Sequence, residues 1–175
     1  MTDQPATSEP NIDAAVVLGE DPELLRLMRE HMPDSAIQRL LGLRFVTLGS
    51  DQVIVEMPVR EEAFNSTGNL HGGAIATLID VAAGTAAALG SRFRPGIESI
   101  VTADIHVRYL GRPKTDLVRA EARVLRAGRQ LTVVECQVAD DDGNLVAIAD
   151  FSSMLVPRRE PLRPSDRAET SHPDL

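Results

Sequence analysis

Apolar positions change their spacing twice along this chain. Up to residue 42 they recur at three and four. Asp21-Pro22 offers an N-cap followed by a proline in the first turn, and "PELLRLMREHM" then places Leu24, Leu25, Leu27 and Met28 on one side before Pro33. "DSAIQRLLG" repeats the pattern with Asp34 or Ser35 as cap, Ile37, Leu40 and Leu41 on one face, and Gly42 as the stop. From Leu43 the period drops to two. "LRFVTLG" and "QVIVEMPV" alternate on either side of Gly49-Ser50-Asp51, which predicts a hairpin. "REEAFNSTGN" is an irregular link, and "HGGAIATLIDVAAGTAAALG", residues 71–90, is the one long helix. After "SRFRPG" four alternating segments follow: "IVTADIHVRYL", "DLVRAEARVLRA", "QLTVVECQVAD" and "LVAIADFSSMLV". They are punctuated by Gly111-Arg112-Pro113, by Gly128 and by Asp141-Asp142-Gly143-Asn144.

Two strands, a helix and four strands joined by short turns predict an α+β domain, with antiparallel neighbours. A helix that is apolar nearly all round must be enclosed, so about six strands should curl around residues 71–90. The expected organisation is a disordered leader over 1–20, an N-terminal helical segment over 21–42, the sheet-and-helix domain over 43–157 and a disordered tail over 158–175.

The net charge is −8, and it sits mainly on the flank. Residues 1–34 hold eight acids and two bases, whereas 35–156 hold fourteen and twelve. Neither basic patches nor stacking aromatics are available for nucleic acid. The run 74–89 is interrupted by Thr77, Asp80, Gly84 and Thr85, so no membrane span is expected, and the leader lacks the basic and apolar regions of a signal peptide. A cytoplasmic location is the expectation. The single cysteine, Cys136, lies in an alternating apolar run and reads as a buried, inert thiol. The four histidines, at 31, 71, 106 and 172, show no metal-ligand spacing.

Candidate chemistry is concentrated in the long helix. Asp80 stands on a stripe with Gly73, Thr77 and Gly84 that is small and polar where the rest is large and apolar. Such an acid either hydrogen-bonds backbone or a partner chain, or serves as nucleophile or general base. Gly72 and Gly73 either allow close packing or leave helix N-terminal amides open to an anionic group. Eight residues separate Gly72 from Asp80, about 12 Å along a helix. A polarising amide and a base must each lie roughly 3 Å from their atoms on one carbonyl, or one water further. One chain hardly supplies both, whereas two antiparallel helices about a two-fold axis do, which points to a dimer with shared sites.

The stretch "NSTGNLHGGAIATLID", Asn65 to Asp80, resembles the signature of hotdog-fold thioesterases of the phenylacetate-degradation type. The resemblance extends over about 35–156 through "LLGLRFVTLGSDQVIVEMPV", "VTADIHVRYLGRP" and "ADDDGNLVAIADFSSMLV". It implies the hotdog fold and hydrolysis of acyl-coenzyme A thioesters by a homo-oligomer, commonly a dimer of dimers, without a separate cofactor. Coenzyme A enters as part of the substrate. In that family Asp80 would be nucleophile or general base, the Gly72 amide would polarise the carbonyl, Asn65 would place thioester or water, and Thr102 would hold the attacking water. Asp80 and Thr102 would come from the subunit opposite Asn65 and Gly72.

Residue by residue, plainer roles stay open. Asn65 can be a turn residue, Thr102 an ordinary strand threonine, and His71 a loop-shaping group rather than a base. Gly73 and Thr77 are candidates for contact with substrate. Arg126 and Arg129 about Gly128 resemble the family's phosphate-binding turn, with Arg112 and Lys114 as a second pair. Two other functions compete. A hotdog hydratase would need a histidine in surroundings such as His-Phe-Pro, which are absent. A non-catalytic acyl-CoA-binding module would have no need of Asp80, Gly72 and Asn65 together.

Overall fold

The computed structural model of the protein describes residues 16–18, 26 and 35–158. Its elements are β1 (Val16–Leu18), α1 (Ala36–Leu41), β2 (Arg44–Gly49), β3 (Gln52–Pro58), a 3-10 turn (Glu61–Ala63), α2 (Gly72–Gly90), β4 (Glu98–Tyr109), β5 (Leu117–Ala127), β6 (Leu131–Asp140) and β7 (Leu145–Pro157). Each element expected between residues 35 and 157 is present within two residues of its expected limits, because clean periodicity there is bounded by Gly, Pro and Asp-Asn turns. Of the helix expected from Asp21 to Met32 only Arg26 is described, and it is helical. The remainder of that helix and the tail after Arg158 lie outside the described residues.

Six antiparallel strands and α2 make the hotdog arrangement expected from the sequence. The sheet order is β1-β2-β3-β5-β6-β7-β4. Two features differ from expectation. Val16–Leu18 pairs in parallel with Thr47–Gly49, in a stretch expected to be without structure. A run of Val-Val-Leu favours a strand, and the free edge of β2 supplies its hydrogen bonds. β4 and β5 are also not neighbours. β4 pairs with β7, and β5 lies between β3 and β6. The link through Gly111-Arg112-Pro113 therefore crosses β6 and β7, about 14 Å at normal strand spacing, which its seven residues can span when extended.

Strand alternation turns Val53, Val55, Met57, Val118, Ala120, Ala122, Val134, Cys136 and Val138 to one buried face. Against it lie Leu78, Ile79, Ala82, Ala83 and Ala86 of α2, none exposed to solvent. Alanine on the helix lets the sheet approach closely, while the strands supply the bulk. By length and hydropathy α2 does qualify as a membrane-crossing helix, contrary to expectation, but 61% of that window is buried within the fold. Its apolarity serves the core. Burial lifts the Cys136 thiol to about 12, with a smaller push from Glu121, so it stays protonated and unreactive.

On the outer face Glu56 is 5% exposed and stands in register between Arg44 and Arg119. Its oxygens accept from Arg44 Nη2 (2.5 Å) and Arg119 Nε (2.6 Å). Burial alone would raise its pKa, but the two guanidiniums outweigh it and hold the carboxyl below its usual range. A folded-state pKa below the unfolded one stabilises the fold above about pH 4.5, and that contribution is lost as pH falls through the folded value. Glu56→Gln is therefore expected to cost about 1–2 kcal/mol at pH 7, discounted because both arginines are half exposed. The difference from the wild type should shrink in melts run below pH 4. A constant gap at all pH values would rule out the ion-pair origin.

Candidate active site

The link between the 3-10 turn and α2 is a closed loop. Phe64 bridges to Leu70, and the His71 amide donates to the Ala63 carbonyl at 2.7 Å. Inside it the Asn65 Oδ1 accepts from the amides of Thr67 (2.9 Å) and Asn69 (3.1 Å) and from the Thr67 hydroxyl (2.7 Å). Gly68, with φ +73°, permits the tight return. The oxygen of Asn65 is thus fully used as a turn former. Its Nδ2 meets no acceptor among the described residues and is left as an oriented donor. The turn-forming role of Asn65 is thus present, and it leaves the amide nitrogen open.

His71 caps α2. Its Nδ1 accepts from the Gly73 amide at 2.8 Å, so this nitrogen carries no proton and is occupied. That favours the loop-shaping role over a general base. The same bond removes the Gly73 amide from the pool of open donors. The Gly72 amide has no acceptor among the described residues and remains the orphan at the helix N-terminus. Tyr109, which sequence reasoning missed, fixes this end. Its hydroxyl donates to the Gly72 carbonyl at 3.0 Å, and its ring lies where a Cβ on residue 72 would meet it at 3.3 Å. Its only signal in the sequence is being the sole tyrosine of the chain, in the alternating run "HVRY".

The acid sits near the middle of α2, on the stripe. Gly73 is exposed and Thr77, Asp80 and Gly84 are half-buried, as are the adjacent Gly72, Ala76 and Val81, whereas the rest of the helix up to Leu89 is buried, so the open side of α2 includes the expected stripe and is broader than it. The Thr77 hydroxyl is spent on the Gly73 carbonyl at 2.9 Å. Thr102 Oγ1 donates to Asp80 Oδ1 at 2.8 Å. The structure therefore brings Asp80 and Thr102 together and leaves Gly72 about 12 Å away along α2, with Asn65 in the loop before it. In register with Thr102 stand Ser153 and then Thr132, both buried, and then Ala127 in the turn carrying Arg126 and Arg129. That turn is level with Asp80, three strands or about 14 Å across the sheet. Both arginines are exposed. Gly128 has a backbone reason of its own, since a Cβ there would come within 2.8 Å of the Leu131 carbonyl. Lys114 is tied to the opposite turn, its Nζ donating to Asn144 at 3.0 Å. No cluster of His, Cys, Asp or Glu suited to a metal ion occurs among the described residues.

A long helix enclosed by a curled antiparallel sheet of six strands, with an acid on its open side, is the hotdog arrangement. The thioesterase superfamily profile matches residues 67–147. Human acyl-coenzyme A thioesterase 13 is 34% identical over 114 residues, 63% of this chain and 78% of that one. The 1,4-dihydroxy-2-naphthoyl-CoA hydrolase of Listeria monocytogenes is 26% identical over 71% of this chain and 98% of its own length. A mutant thioesterase of Pseudomonas aeruginosa superposes with a TM-score of 0.68 at 27% identity, covering 79% of this chain and 97% of that one. The chain belongs to the thioesterase superfamily.

Proposed function

We propose that the protein hydrolyses acyl-CoA thioesters to free acid and CoA at two sites shared across a homodimer, as in the phenylacetate-degradation type. The Asp80–Thr102 pair carries this reading. Asp80 is the acid that attacks the thioester carbonyl or deprotonates the attacking water, and Thr102 fixes its oxygen. The Gly72 amide of the other subunit receives the developing oxyanion, with the free Nδ2 of Asn65 beside it. Arg126 and Arg129 offer charge to the CoA phosphates. The relative named as a CoA thioesterase supports that substrate class. A hydrolysis screen across short, long and aromatic acyl-CoAs tests it, and binding without turnover of any would favour the acyl-CoA-binding alternative.

β4 supports the dimer: it is a twelve-residue strand at the sheet edge, and such an edge is a template for pairing with another chain. A bulge between Thr102 and Asp104 leaves Thr102, Ile105, Val107 and Tyr109 all facing α2, with Asp104, His106 and Arg108 outward. Antiparallel pairing of β4 with its copy about a two-fold axis at His106 sets Thr102 opposite the other Tyr109, and so Asp80 beside the other Gly72. It also sets Asp104 opposite Arg108 twice, an attractive pairing. His106→Cys should then give a disulfide-linked dimer on mild oxidation, because opposed residues have Cα atoms about 4.5–5.5 Å apart. A protein that stays monomeric on non-reducing gels would argue against this register.

A further inference from the structure

A cleft of about 300 Å³ lies between α1 and α2 and runs along α2 from Thr77 past Asp80 to Thr85. Its lining includes Ile37 from α1, Val81 and Gly84 from α2, and Ile100 from β4, together with Asp80 and Thr102. Three elements thus turn aliphatic side chains into one space adjoining the acid. Most of the polar groups around it are already occupied, the Thr85 hydroxyl and the second Asp80 oxygen being the exceptions among the described residues. Ser35 and Gln38 close a capping box on each other, and the Thr77 hydroxyl is bound to the Gly73 carbonyl. What they leave facing the cleft is mostly carbon.

α1 is held firmly enough to act as a wall. It has the capping box at one end and a left-handed Gly42 at the other, whose amide bonds Arg39 and Gln38 carbonyls. Leu41 is buried in the core, whereas Ile37 on the same short helix remains 48% exposed over the cleft. At Gly84 an added Cβ would meet nothing within 4 Å, so the floor opposite Ile37 is open. The open stripe closes again at Ala88, which is 1% exposed, two turns or about 12 Å beyond Asp80.

From this geometry we infer that the cleft is the acyl subsite, that it accepts a medium-length aliphatic chain running from Asp80 past Gly84, and that Ile37 of α1 sets its depth. The inference rests on the thioesterase reading and adds the substrate class and its determinant. An acyl group entering there displaces water from Val81 and Ile100 and covers Ile37, a favourable transfer proportional to the apolar area removed from water. Selection by chain length follows from the closed end.

Two substitutions on different elements test it. Gly84→Leu fills the open floor and improves helix propensity, and Ile37→Ala removes the wall from a half-exposed position, so both variants should fold. Gly84→Leu should lower the kcat/KM ratio of octanoyl-CoA to acetyl-CoA by about 10-fold, and Ile37→Ala should raise the ratio of lauroyl-CoA to octanoyl-CoA severalfold. The same ratios are measured as Kd by calorimetry in an Asp80→Asn background. Ratios that do not move in either variant, by turnover or by Kd, overturn the subsite. Absence of turnover in the wild type with Kd ratios that do move supports the subsite and counts against hydrolysis instead.

Discussion

Asp80→Asn is expected to lower kcat for acyl-CoA hydrolysis by on the order of 10²-fold or more, about 2.7 kcal/mol of transition-state stabilisation. The substitution is close to isosteric. An amide oxygen can still accept from the Thr102 hydroxyl, which in the native chain approaches at 2.8 Å, so local geometry should persist. What disappears is the charge and basicity that either a nucleophile or a general base requires. Asp80 is half-buried and outside the fully buried core, so folding and assembly should be unaffected. A fall in kcat with KM little changed would place the loss in the chemical step. Retention of near-full activity would remove Asp80 from the reaction.

Replacing Gly72 by proline should cost about as much, on the order of 10²–10³-fold in kcat, through the backbone alone. Gly72 is the first residue of α2, a position where proline is favoured because its missing amide breaks no helical bond. His71 already has φ −69° and ψ 133°, the extended conformation that a following proline prefers. The one donor deleted is the orphan amide. Gly72→Ala keeps that amide while adding a Cβ against the Tyr109 ring, and so reports the steric part of the effect. If proline and alanine variants lose equal activity, the amide is not the oxyanion donor. Mixing Asp80→Asn with Gly72→Pro subunits carries the reading further. Random exchange makes half of the dimers mixed, each with one intact site, so about a quarter of wild-type activity should return. Separate sites within single chains would return none.

Most of the fold is legible in the sequence because its physics is local. Alternation in "QLTVVECQVAD" and small-residue helicity in "HGGAIATLIDVAAGTAAALG" each determine an element without reference to the rest. The position of Asp80 on an open stripe is likewise a matter of helical spacing. Strand order is different in kind. Nothing in "GRPKTD" distinguishes a tight turn from a crossover, and only the competition for partners across the whole sheet puts β4 beside β7. Asn65 shows the same limit at the site. Its turn-forming oxygen follows from sequence, but the orientation of its amide depends on Thr67 and Asn69 folding back on it. Tyr109 was missed because its contact is with a residue 37 positions away.

The bulge after Thr102 also carries a consequence for how this site can change over generations. Thr102 is even-numbered and Tyr109 odd-numbered, and a regular strand would present them to opposite sides of the sheet. One extra residue reconciles them. A single-codon deletion or insertion anywhere between the two would turn one half of the site outward while leaving every other strand in place. Point substitutions along this segment can accumulate one at a time, whereas changes in its length must come in pairs. Divergent descendants of this chain should therefore vary in the letters between Thr102 and Tyr109 and keep their number.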